Sequence, residues 1–457
     1  MVFSSLLFLF FFLPIVLISY YISPKNIRLA VLFIASLIFY AFGEPIYIFL
    51  MIFSTIIDYT LGILIFKFKN DRFLKIFFLV ISITINLSLL SFFKYSNFFI
   101  TIVNDLFNKN FSLLNIPLPI GISFYTFQTL SYTIDVFREN ISPQKNIISF
   151  GAYVSLFPQL IAGPIVTYES IERDINNKNR ETEALFNDGV CRFIEGLCKK
   201  TLLANNIGYL FETLRSNNLN SISTLTSWLC IIAYFFQIYF DFSGYSDMAI
   251  GLGKMFGFNF NENFNYPYIS KSITEFWRRW HISLGSWFKN YLYIPLGGNR
   301  VKHKYFNLFI VWVFTGFWHG ANFNFIIWGI YFFILIMIEK MFLLKFLERS
   351  KILSRIYSLF FIIIGWVIFV FEDKNSLSLF LSKMFSVNNF IDREFLYYFK
   401  NFFIYILICI LFSTPLMNNL KLKLPKFISN TFLILCFILS IAFIVNSSFN
   451  PFLYFRF

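Results

Sequence analysis

Only three histidines occur in the 457-residue chain. His319 stands in the apolar run FTGFWHGANF (314–323), boxed by Phe317, Trp318 and the glycines Gly316 and Gly320. His281 stands in FWRRWHISLGSWFKNYLYIPLGGNR (276–300), where Trp277, Trp280 and Trp287 fall at near-helical spacing and Arg278 and Arg279 interleave with them. An imidazole titrates near pH 6.5, so burial can keep it neutral and able to accept a proton at pH 7. That suits acyl transfer to a hydroxyl, where the alcohol loses its proton as it attacks a thioester or ester. The other reading of His319 is an interfacial ring that only packs. No competing nucleophile–base set is present in the sequence: there is no G-x-S-x-G, no H-E-x-x-H and no glycine-rich phosphate loop with its lysine.

The Trp/Arg stripe also has two readings. It could be an interfacial amphipathic helix, with tryptophans at the headgroups and arginines on lipid phosphates. Pro295 and the Gly297-Gly298 turn end it early, which favours a short re-entrant segment. An arginine at membrane depth costs roughly 2.5–3.5 kcal/mol on insertion scales and needs a partner or a cavity. Asp241 and Asp247, in QIYFDFSGYSDMAIGLG (237–253), are the candidate partners, either as structural ion pairs or as part of a site. His303 reads as a loop residue.

The elements that must position these residues are membrane helices. The chain is 58% hydrophobic and 14% charged. Soluble domains carry about 25% charged residues. The first run, FSSLLFLFFFLPIVLISYYI (3–22), has the length needed to cross a bilayer, and it lacks a basic leader or a small-residue cleavage site, so it reads as a span. Further runs lie near 29–42, 45–66, 76–94, 148–167, 226–240, 305–318, 323–343, 356–371, 396–414 and 429–446. They are too long for barrel strands, so the chain reads as an all-α polytopic membrane protein. The net charge of +14 does not point to nucleic acid, because the basic residues gather in short loops at 66–75, 345–355 and 421–426. Those loops are expected in the cytoplasm, with 372–395 and both termini outside. The five cysteines, Cys191, Cys198, Cys230, Cys409 and Cys436, have no metal-ligand spacing and read as packing residues; no metal is expected.

Three stretches break the pattern of clean spans: 117–138, the amphipathic 168–222, and 240–304. Irregular backbone at membrane depth is tolerated only where protein buries it or water reaches it. A polar path is therefore expected inside a single membrane domain, 1–457, with a core at about 118–345.

The two histidine stretches resemble those of the membrane-bound O-acyltransferase (MBOAT) family, in particular its bacterial alginate and peptidoglycan O-acetyltransferases. Further matches are LPIGISFYTFQTLSYTIDVFR (118–138), FPQLIAGPIVTYESI (157–171), YFDFSGYSDMAIGLGKMFGF (239–258), IIGWVIFVFE (363–372) and the tail NPFLYFRF (450–457). The resemblance implies a ring of roughly ten to twelve transmembrane helices with re-entrant and interfacial helices around a funnel and tunnel. It implies that His319 is the essential histidine and the general base, that His281 orients it, and that Trp280, Arg278, Arg279, Trp318, Asn322 and Asp241 bind substrate or donor. It further implies acetyl-CoA as donor rather than a bound cofactor, a periplasmic SGNH-type transferase or esterase as partner, and a bacterial inner-membrane location. The richness in Phe, Ile, Asn and Lys, with 69 phenylalanines, reflects an AT-rich coding bias that favours peptidoglycan over alginate as the acceptor. The rival readings are D-alanyl transfer to teichoic acid from a carrier protein and a transporter of acyl or sugar-lipid groups.

Overall fold

Uninterrupted apolar sequence folds as helix in a bilayer because each backbone N–H must find its acceptor within the segment. The computed structural model describes residues 1–446 except residue 162, and every regular element among them is helical. The 450–457 tail and Ala162 of the 157–171 stretch lie outside the described residues. Among the described residues, seven helices are long and apolar enough to cross a membrane: Ile48–Lys67, Arg72–Phe107, Thr224–Met255, Phe323–Leu347, Lys351–Val370, Arg393–Phe412 and Lys426–Asn446. The first two apolar runs form shorter helices, Phe8–Ile22 and Arg28–Gly43. The protein is therefore polytopic and all-α.

The chain forms two compact units, residues 1–193 with 246–261, and residues 194–245 with 262–457. In the first, a buried polar network joins three helices. Asp58 accepts hydrogen bonds from Ser82 Oγ (2.6 Å) and from Asn86 Nδ2 (2.8 and 3.0 Å), while Thr129 Oγ1 donates to Asn86 Oδ1 (3.2 Å). The 117–138 stretch is less broken than its composition predicts. After Gly121, at φ +76°, it runs as a regular helix, Ile122–Phe137, buried along most of its length. The expected span at 148–167 does not form. It divides into Ile147–Ser155 and a single turn, Phe157–Leu160, because Leu156 turns extended (ψ 109°) ahead of Pro158, which cannot donate to the preceding turn.

The second unit holds both histidine stretches. The Lys304–His319 and Phe323–Ile338 helices cross at glycines. A Cβ on Gly316 would collide with the Phe325 carbonyl oxygen, and one on Gly329 with that of Trp312. The close approach that the glycines around His319 suggest is thus made by a neighbouring helix. Lys304–His319 has 16 residues and is shorter than a full span. The region 240–304 departs from expectation in its first part: the Thr224–Met255 helix continues through Asp241 and Asp247 without a break. Its charges are neutralised, which removes the reason for the helix to end. Lys200 Nζ lies 2.7 Å from Asp241 Oδ1 within the second unit, and Arg192 Nη2 lies 2.6 Å from Asp247 Oδ1 within the first. Asp241 and Asp247 are thus ion-paired, but to Lys200 and Arg192 rather than to Arg278 and Arg279.

Candidate active site

The Trp/Arg stripe is two short helices, Ile273–Arg279 and Ile282–Phe288, not one. The break falls at Trp280, which is extended, and at His281, which adopts φ +45° and ψ +53°. A non-glycine residue in this left-handed region costs about 1–3 kcal/mol and persists only where its surroundings hold it. Here the holder is Asn263, which no motif marked. Its backbone carbonyl accepts from Ile282 N (2.9 Å). Its Oδ1 meets Ser283 N (3.2 Å), Ser283 Oγ (2.9 Å) and His281 Nδ1 (3.1 Å). Asn263 is fully buried and His281 is 2% exposed. Burial pushes the His281 imidazole down to about 3, so the ring is neutral at pH 7.

The N-terminus of the first short helix is also held from a distance. Glu339, fully buried in the 323–347 helix, accepts from Ile273 N (2.6 Å), Thr274 N (2.8 Å) and Thr274 Oγ1 (2.6 Å). Beyond the second helix the chain turns at Gly297 (φ +98°) and Gly298 (φ +56°), conformations that disfavour a side chain. Asn307 Nδ2 donates to the Leu296 carbonyl (2.8 Å) and ties that turn to the helix leading to His319.

His319 ends that helix and is 5% exposed. Trp328 and Phe369 meet its ring edge-on, at centroid distances of 5.1 and 5.2 Å. Phe369 is held there by Asn324, whose Nδ2 donates to the carbonyls of Phe369 (3.0 Å) and Ile368 (3.3 Å). Trp318 connects the two histidines: its indole lies 4.9 Å from the His319 ring and 5.9 Å from the His281 ring. Phe242 closes the other side of His281 at 4.7 Å. Two imidazoles far apart in sequence therefore share one indole inside an aromatic enclosure, which suits a neutral base shielded from bulk water.

The remaining sequence candidates are placed differently. Trp280 is 3% exposed and packs on Trp366 (4.9 Å), Phe264 (5.0 Å) and Phe276 (5.6 Å), as part of the aromatic core. Arg279 is committed to Glu275 (2.9 Å) and the Asn265 carbonyl (3.1 Å). Arg278 is exposed, and its charge and that of Lys304 act on Lys340. Asn322 is half-buried at the cap position of the Phe323–Ile338 helix and makes no side-chain bond to it. Asp241 is buried against Lys200, one residue from Phe242. Sequence reasoning missed Asn263, Glu339 and Lys200. Glu339 carried a signal, being the one carboxylate in the 323–343 apolar run.

Residues 88–379, which include both histidines, Asn263 and Glu339, match the family model of the membrane-bound O-acyltransferases. The chain is 42% identical over 380 residues to a probable alginate O-acetylase of Pseudomonas aeruginosa, covering 82% of this chain and 72% of that protein. It is 35% identical over 425 residues to a peptidoglycan O-acetyltransferase of Helicobacter pylori, covering 85% and 80%. Likeness to a teichoic acid D-alanyltransferase of Bacillus subtilis is 29% over 226 residues, 46% of this chain and 56% of that one. With a match of this extent running through the paired-histidine enclosure, the chain belongs to the membrane-bound O-acyltransferase family and is an O-acyltransferase.

Proposed function

We propose that this protein transfers acetyl groups from a cytoplasmic thioester donor, acetyl-CoA, to hydroxyls destined for an extracytoplasmic polysaccharide, with His319 as the general base. The observation that carries the reading is the convergence of His319 and His281 on the Trp318 indole. The relatives named as O-acetylases, matched over more than four-fifths of the chain, support an acetyl group over the D-alanyl alternative, whose matches cover about half. In the step proposed, His319 takes the hydroxyl proton as the oxygen attacks the thioester carbonyl carbon. The C–O bond forms, the C–S bond breaks, and the departing thiolate takes up the proton, leaving an ester and a free thiol. His281 orients the reacting groups from the far side of Trp318. Arg278, exposed beside Lys304 and Lys340, is the arginine best placed for donor phosphates, while Trp280 and Asp241 shape the walls.

The acceptor we favour is peptidoglycan, reached through a periplasmic SGNH-type partner from a bacterial inner membrane. The higher identity to the alginate enzyme supports an alginate-like exopolysaccharide as the second reading. The test is His319→Ala in reconstituted vesicles given radiolabelled acetyl-CoA and each polysaccharide with its partner. Loss of transfer with insertion and thermal unfolding unchanged is expected. Transfer at the parent rate would overturn the assignment of the base.

A further inference from the structure

We infer that Asn263 is a positioning residue for His281: it holds the imidazole as the Nδ1–H tautomer and leaves Nε2 as the basic nitrogen. The Asn263 amide cannot be turned over, because the atom 3.2 Å from the Ser283 backbone N–H must be an acceptor. That atom is Oδ1, and it is also the one 3.1 Å from His281 Nδ1. An amide oxygen only accepts, so Nδ1 must carry the proton. In a neutral ring the lone pair is then on Nε2. The same residue fixes the ring's direction through the backbone, since its carbonyl takes the Ile282 N–H and stabilises the left-handed turn at His281. Asn263 Nδ2 meets no acceptor among the described residues, so the oxygen alone makes these side-chain contacts, and a carboxylate should replace it.

The catalytic consequence rests on the function proposed above; the tautomer does not. With Nε2 as an acceptor and its one N–H given to Asn263, neutral His281 can take a hydrogen bond from a hydroxyl or thiol but has no second donor to offer. The two histidines would then both act as acceptors around Trp318.

The test uses the full chain in detergent, labelled with ¹⁵N-histidine. Only three histidines need assignment, and His281→Gln identifies the relevant signal. At pH 7 the expected signature for His281 is a protonated Nδ1 and a bare Nε2. In Asn263→Ala the tautomers redistribute, and kcat for acetyl transfer falls about tenfold or more with the donor KM within about twofold. In Asn263→Asp the tautomer is retained and kcat recovers at least in part. A His281 that carries its proton on Nε2 in the parent protein overturns the inference, as does Asn263→Ala with tautomer and kcat unchanged. The parent spectrum decides the tautomer even where the alanine variant does not fold. A shifted tautomer with full transfer upholds the role of Asn263 and removes His281 from the proposed reaction.

Discussion

Replacing Glu339 by alanine should unfasten the segment that carries His281. The carboxylate takes two backbone N–H groups and one hydroxyl at the start of a seven-residue helix. A helix that short is not stable alone. Hydrogen bonds to a charged group contribute about 1.5–3 kcal/mol each, and a buried N–H left without an acceptor costs about 1–3 kcal/mol. Ile273 is fully buried and its N–H would be stranded, whereas Thr274 is half-buried and water can satisfy part of its loss. The desolvation of the carboxylate itself is relieved, which offsets some of the change. The net expectation is about 3–5 kcal/mol for Glu339→Ala, about 1–3 kcal/mol for Glu339→Gln, which keeps one acceptor oxygen, and about 1 kcal/mol for Thr274→Val. The assay is hydrogen exchange in detergent, read by peptide together with the thermal midpoint. Amides across 271–283 should lose protection in Glu339→Ala while those of the Thr224–Met255 helix keep theirs, and acetyl transfer should fall with the lost protection. Unchanged exchange across 271–283 in the alanine variant would refute the claim that this carboxylate holds the segment.

Gly316→Ala forces a methyl against the Phe325 carbonyl and should cost about 1–3 kcal/mol, seen as a lowered thermal midpoint. Gly320→Ala presses on the Phe325 ring rather than on backbone, so its midpoint should fall less. The Lys200–Asp241 pair is 2% and 4% exposed, so Lys200→Met or Asp241→Leu alone should cost about 3–5 kcal/mol by removing a buried counter-charge, and the double variant should recover part of it in a thermal scan. The neutral His281 predicts acid sensitivity. Its folded pKa, lowered to about 3, lies below the unfolded value, so between about 6.5 and 3 the unfolded chain holds a proton the folded one lacks. This contribution is absent above about pH 6.5 and grows as pH falls, at up to about 1.4 kcal/mol per unit. The parent should therefore lose about 2 kcal/mol more than His281→Gln between pH 7.5 and 5, and parallel pH profiles of the two midpoints would exclude it.

What the sequence made legible depended on the range of the interaction concerned. His319 and His281 stood out because a titratable ring in an apolar run is costly and needs a reason, and the flanking Trp and Gly residues made the runs distinctive. The failed span at 148–167 shows what hydropathy omits: it counts apolar residues but not the backbone dihedrals at Leu156 and Pro158. Asp241 was legible as one member of an ion pair and illegible as to which, because Lys200 is 41 positions away and nothing local points to it. The expectation that 240–304 is irregular failed over 240–255 for the same reason. With Lys200 and Arg192 supplying counter-charges, the two carboxylates do not interrupt the helix. Asn263 was invisible because its role lies in one oxygen shared among three donors, and the sequence shows only one of three asparagines in FNENFNY (260–266).

The break at His281 also explains why the site needs short helices. Were 273–288 one continuous helix, His281 would follow the 3.6-residue period of the tryptophans and lie near the face of Trp277, four positions earlier. Trp277 faces Trp328 and Phe332, in the core behind the His319 ring. The left-handed residue redirects the chain after Trp280, so that Trp280 remains in the aromatic core while His281 lies against Trp318 and Phe242. The conformation costs about 1–3 kcal/mol, and three side-chain contacts to Asn263 at about 1 kcal/mol each are enough to hold it. A strained residue kept at equilibrium by one buried amide is therefore the point in this enclosure where loss of one small side chain, in Asn263→Ala, should move the site while leaving the membrane helices in place.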